Sequence, residues 1–142
     1  MDSKNLKNQI RTDRFDFDEE ALIKAAKKIM KEAYAPYSKV KVGAAILSSK
    51  GKIHVGCNIE NASYGLTVCA ERVAVGCAVS HGEREFKAIA IANSTDKIIT
   101  PCGACRQVLS EFSKGLKILL VSAGGEIVRT TLAQLLPDPF SL

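Results

Sequence analysis

The chain has no tryptophan, three tyrosines and five phenylalanines, so aromatic residues make up only 6% of its 142 positions. That shortage bears on nucleic acids. Surfaces that hold single strands pair clustered Lys and Arg with aromatic platforms. Here the net charge is +5, but the basic residues are scattered among Asp and Glu. A solvated surface of mixed charge is the plainer reading, and polynucleotide binding is unsupported. No apolar run approaches the roughly 20 residues of a spanning helix. The start, Met1-Asp2-Ser3-Lys4-Asn5, is too polar for a signal peptide. The expectation is a cytoplasmic protein with no membrane partner. Cysteine is not scarce. Five residues are an odd number in a chain without an export signal, which favours metal binding or free thiols over a disulfide framework.

With 46% hydrophobic and 25% charged residues, the composition is that of an ordinary globular domain. The length suits one domain, placed at residues 16–142, after a polar extension over 1–15 that mixes charge signs without periodicity. Asp16 and Glu19 stand at capping-box spacing ahead of Leu22, Ala25, Ile29 and Ala33, which predicts a first helix over roughly 17–34. Ala35-Pro36-Tyr37-Ser38 breaks it. Val42 to Leu47 reads as a buried strand, Ser49-Lys50-Gly51 as a hairpin turn, and Lys52 to Cys57 as the returning strand. A second helix runs from Cys69 to about His81, with Gly82 as its stop, and a third from Ala104 to about Ser113. Strands at 87–92 and 117–121 alternate with these helices, which implies a sheet covered by helices with some parallel pairing. Ala123-Gly124-Gly125 is too short for a parallel crossover, so 126–130 should return antiparallel.

The chemistry concentrates in Cys69-Ala70-Glu71-Arg72 and Pro101-Cys102-Gly103-Ala104-Cys105. Cys102 and Cys105 can reach one metal from a single turn, and Cys69 would join them from another helix. Both clusters fall at predicted helix starts, where unpaired N–H groups and the helix dipole favour thiolates. Three ligands leave a coordination position open, as catalytic zinc sites do. Other readings stay available: a redox pair, buried core thiols, or a closed structural site. The redox reading leaves Cys69 and Glu71 without a task. The closed site needs a fourth ligand from Cys57, Cys77, His54 or His81, and none stands at paired spacing. Glu71, two residues after Cys69, can sit beside the metal as a proton shuttle, or can simply be a first-turn acid favoured by the dipole. Arg72 could offset the negative charge of three thiolates, or be an ordinary surface residue.

These two motifs resemble the zinc-dependent cytidine deaminase family, in its short-chain, homotetrameric branch. Tyr34-Ala35-Pro36-Tyr37-Ser38, Val42-Gly43-Ala44-Ala45, Gly56-Cys57-Asn58-Ile59-Glu60-Asn61-Ala62 and Leu135-Leu136-Pro137 extend the likeness over about 20–142. The resemblance implies a three-layer α/β/α fold with a five-stranded mixed sheet and one Zn2+ per subunit on Cys69, Cys102 and Cys105. It implies hydrolytic deamination of cytidine and 2′-deoxycytidine with release of ammonia, as a step of pyrimidine salvage. Glu71 would move the protons while a zinc-activated water attacks C4. An antiparallel last strand goes with free-nucleoside members. Asn58 and Glu60 would hold the ribose, groups near Ala70 and Glu71 would read the pyrimidine edge, and Tyr64 would line the pocket or the subunit interface. Phe140 would reach into a neighbouring subunit's site, or serve as a terminal apolar anchor. Val40 stands where the family usually has Phe, which predicts a wider pocket. A deaminase of another aminated pyrimidine, such as blasticidin S, shares Cys-Ala-Glu and Cys-x-x-Cys, but the Asn58–Glu60 pair argues for a ribose.

Overall fold

The computed structural model describes residues 13–142; most of the polar extension read at 1–15 lies outside them. Five strands form one sheet in the order β2-β1-β3-β4-β5. They are β1 (Val42–Ser48), β2 (Ile53–Cys57), β3 (Phe86–Asn93), β4 (Lys117–Val121) and β5 (Ile127–Thr131). Only β3 and β4 pair in parallel, and the Gly124-Gly125 turn returns β5 antiparallel to β4. Among the described residues the α-helices are α1 (Glu19–Met30), α2 (Ala70–Ser80), α3 (Gly103–Phe112) and α4 (Leu132–Leu135).

The sheet is buried on both faces, and its period-two alternation sorts the apolar residues between them. Ala45, Ala88, Ala90, Ala92, Leu119 and Val121 face α1, where they meet Phe15, Leu22, Ile23 and Ala26. Ala44, Ile46, Ile89, Ile91, Ile118 and Leu120 face the opposite way, toward Ala70, Ala74, Ala78 and Leu109 of α2 and α3. This is the three-layer α/β/α arrangement. Phe15 is buried in the first of these clusters, so the packed domain begins before residue 16.

Two details differ from the sequence reading. The first helix is shorter than 17–34, and its N-cap is Asp18, whose side chain accepts from the Ala21 N–H at 3.0 Å. Asp16, predicted to cap it, pairs with Lys117 instead. Glu19 is not a capping-box partner. Its carboxylate is 1% exposed and takes a forked pair of bonds from Arg129 on β5, each 2.9 Å, with a third from the Phe15 N–H. Arg129 therefore ties the start of α1 to the far edge of the sheet. Its guanidinium holds Glu19 below the usual carboxylate range.

Gly56 fixes the distance between β2 and α2. A Cβ there would lie 2.3 Å from the Ala74 backbone nitrogen, so only glycine allows so close an approach.

Arg129→Met should lower stability by about 3 kcal/mol, because it leaves the buried Glu19 carboxylate only the longer 3.3 Å contact from exposed Arg14 and the Phe15 N–H. Pairing it with Glu19→Leu should recover most of that loss, as read from urea midpoints.

Candidate metal centre and active site

α2 and α3 start against one another. Cys69 is the N-cap of α2 and Cys102 the N-cap of α3, both in extended conformation, and neither thiol caps its own helix. The side chains are thus free to point at each other, and their sulfurs lie 3.8 Å apart. Cys105, one turn into α3, completes the group, with all three sulfurs within 4.8 Å of one another. Zinc–sulfur bonds of about 2.3 Å in a tetrahedron place sulfurs about 3.8 Å apart, the separation of Cys69 and Cys102, and the third sulfur lies near enough to share the same ion. The closed structural site finds no fourth ligand here among the described residues, since His54, Cys77 and His81 group with one another instead.

Glu71 sits on the first turn of α2, 5% exposed, and its Oε2 accepts from the Cys105 thiol at 3.1 Å. Burial pushes its carboxyl above the ordinary range. Arg72 follows, with Nη2 3.7 Å from Cys69 Sγ and 3.4 Å from the Thr67 carbonyl. Without metal, the charges settle unevenly over the thiols. The neighbouring Cys105 thiol, with the Arg72 guanidinium and the Cys102 thiol, lowers the Cys69 pKa to about 5, while proximity to Cys69 and burial push that of Cys105 up. One thiolate, one guanidinium and one buried acid therefore occupy a single pocket.

The residues expected to recognise substrate separate into two groups. Glu60 and Tyr64 line one cavity of about 270 Å³ with Tyr37, Ser38 and Thr67. Glu60 Oε1 accepts from the Tyr37 and Ser38 N–H groups at 2.9 and 3.1 Å, and Oε2 from the Ser38 hydroxyl. The Ser38 hydroxyl holds it below the usual carboxylate range. Asn58 is buried and braces the neighbouring segment, donating to the Val40 carbonyl at 2.9 Å and accepting from the Val42 N–H at 2.8 Å. Half of its hydrogen-bonding capacity remains. Ala70 is fully buried on α2 beneath Cys69, and Val40 is half-buried. Phe140 is elsewhere. The residue is 72% exposed, and its carbonyl accepts from Gln107 on α3 at 3.1 Å.

Arg106 was not singled out by sequence reasoning, yet it organises the second cysteine loop. Its guanidinium donates to the Pro101 carbonyl at 2.7 Å, the Leu135 carbonyl at 2.8 Å and the Thr100 hydroxyl at 3.2 Å. The signal available was only its position directly after Cys105.

Residues 17–121, and so both cysteine clusters with Glu71, match the model of the cytidine and deoxycytidylate deaminase zinc-binding region. The chain belongs to this family. It is a zinc-binding member, and its three-thiol cluster is a group that could hold that metal. A cytidine deaminase of Sporosarcina psychrophila is 51% identical over 125 residues, 87% of this chain and 92% of the relative. A second, from Halalkalibacterium halodurans, is 46% identical over 125 residues, 87% of this chain and 95% of the relative. Among solved structures, the cytidine deaminase from Burkholderia pseudomallei superposes with a TM-score of 0.83 at 49% identity, covering 87% of this chain and all of that one.

In zinc-stripped protein, alkylation of Cys69 by iodoacetamide should stay fast down to about pH 5 and slow below it as the thiolate is protonated. Arg72→Ala should move that midpoint upward; mass spectrometry of the labelled peptide reads both.

Proposed function

We propose that this chain hydrolyses cytidine and 2′-deoxycytidine to uridine and 2′-deoxyuridine with release of ammonia, as a homotetrameric, cytoplasmic enzyme of pyrimidine salvage. The observation that carries the reading is the convergence of Cys69, Cys102 and Cys105 with the buried Glu71 carboxylate 3.1 Å from Cys105. The close relatives named as cytidine deaminases support it.

Cys69, Cys102 and Cys105 would hold the metal. Zinc, when bound, supplies Lewis acidity that makes a water nucleophilic near neutral pH. Glu71 accepts a proton from that water and delivers it to N3 of the pyrimidine, which makes C4 more electrophilic. The second proton goes through the same carboxyl to the departing amine. Burial suits Glu71 to this task, since a raised pKa lets the carboxyl hold a proton between the two transfers. Arg72, against Cys69, offsets the charge of the thiolates and limits how far they quench the metal's acidity.

The ribose would sit by Glu60, whose ionised carboxylate accepts from a hydroxyl, with the remaining Asn58 N–H as a donor. Both residues already pin the 37–42 segment, so the hydroxyl would meet partners that are held in place before it arrives. A wider pocket at Val40 follows from the missing ring. Exposed Tyr34, Tyr37, Ile59, Tyr64 and Leu66 belong to neighbouring segments and offer apolar surface that supports self-association. In that assembly Phe140 would complete a neighbouring site.

Glu71→Gln should keep its zinc and fold but lose turnover by at least about 10²-fold. Metal analysis beside ammonia release from cytidine checks this, and near-normal turnover would sink the role. Val40→Phe should lower KM for cytidine and narrow the acceptance of 5-substituted cytidines in steady-state assays. Unchanged values would remove the account of the pocket.

A further inference from the structure

A second group of ligand-type side chains lies at the opposite end of α2. Cys77 and His81 are four residues apart, hence on one helix face, and His54 of β2 joins them. The Cys77 sulfur and one ring nitrogen of each histidine fall within 4.8 Å of one another. The fold imposes this meeting. Gly56 brings β2 against the first half of α2, and His54, two residues earlier on the same strand face, therefore meets the helix nearer its end. There α2 stops in a glycine-terminated turn. Gly82 takes φ +86°, and the N–H groups of Gly82 and Glu83 bond back to Val79 and Ala78, each at 3.0 Å. The turn folds Glu83 inward, so that its buried carboxylate lies 3.8 Å from His54 Nε2 and 3.9 Å from the Lys50 ammonium.

The state of His54 is an independent pointer to a ligand. Its side chain is only 10% exposed, and Nε2 is fully buried with no hydrogen-bond partner. The 3.8 Å to Glu83 is too long for a hydrogen bond. Native folds rarely leave such an atom orphaned unless a water or an ion completes it. His81 is already oriented. Its Nδ1 lies 2.8 Å from the Cys77 carbonyl and 3.9 Å from the Cys77 sulfur, so the ring is already held beside the thiol.

We propose that His54, Cys77 and His81 form a second metal site, for a borderline dication such as Zn2+. Two imidazoles and a thiolate suit that class of ion and disfavour Mg2+ or Ca2+, which want oxygen ligands. The Cys77 thiolate and the Glu83 carboxylate together balance its charge. Half-buried Cys77 and exposed His81 leave a way in from solvent. The site stands roughly 15 Å along α2 from Cys69, given 1.5 Å per residue, so it takes no part in the chemistry at Glu71. It clamps the edge strand β2 to the end of the helix whose start carries Cys69.

The test is metal stoichiometry in the full chain, so its failure and that of the deaminase reading are separately visible. Zinc-stripped protein dialysed against excess Zn2+ should hold two ions per chain, and His81→Ala only one, with cytidine turnover per first-site zinc unchanged. Cobalt loading guards against misfolding of a variant. The second equivalent of Co2+ should add thiolate-to-metal charge-transfer absorption that Cys77→Ser abolishes while the first equivalent's bands persist. One zinc per chain in the wild type, two in His81→Ala, or a second cobalt equivalent unaffected by Cys77→Ser would overturn the proposal.

Discussion

The site follows from two helices aimed at one point. Each N-cap puts a thiol where the helix dipole and unpaired N–H groups favour an anion, and the two caps are Cys69 and Cys102. Both helices pack on the same face of the sheet. α3 is the crossover between the parallel strands β3 and β4, so its start lies where β3 ends. Gly56 seats α2 beside it by removing the side chain that would hold β2 away. Were either helix shifted by one turn, about 5.4 Å, the sulfurs would no longer lie within reach of one ion.

Burial then divides the labour among the charges. Glu71 is desolvated and pushed toward its neutral form, whereas Cys69, beside the Cys105 and Cys102 thiols and the Arg72 guanidinium, is pushed toward its thiolate. Neighbouring acids with opposite tendencies are what an acid–base site requires, since one must stay a ligand while the other gives and takes protons. Glu60 is different again. It is held ionised by Ser38 and fixes the loop that borders the cavity, so a single carboxylate both builds the pocket wall and presents an acceptor.

Much of this was legible in local pattern. The alternating apolar strands, the short Ala123-Gly124-Gly125 turn and the cysteine spacing led directly to a mixed sheet with thiols at helix starts. What escaped depended on partners distant in sequence. Glu19 looked like a capping residue because Arg129, its true partner 110 residues away, leaves no local trace, and Asp18 fits a cap as well as Asp16 does. Arg106 and the Asn58–Val40 brace were hidden for the same reason. α4 spans only one turn, too short for a period to appear. Cys77 and His81 stand four residues apart, which corrects the reading that none of Cys57, Cys77, His54 and His81 is at paired spacing, and the pair gains meaning only when β2 brings His54 to it.

Three thiols and one buried acid stand together where a zinc-dependent cytidine deaminase needs them. The most direct measurement is ammonia release from cytidine as zinc-stripped protein is titrated with Zn2+. Turnover should be absent without metal and rise in proportion to zinc until one equivalent per chain is bound, with uridine and ammonia formed in equal amounts. Full activity in metal-free protein, or zinc-loaded protein that releases no ammonia from cytidine, would contradict the account.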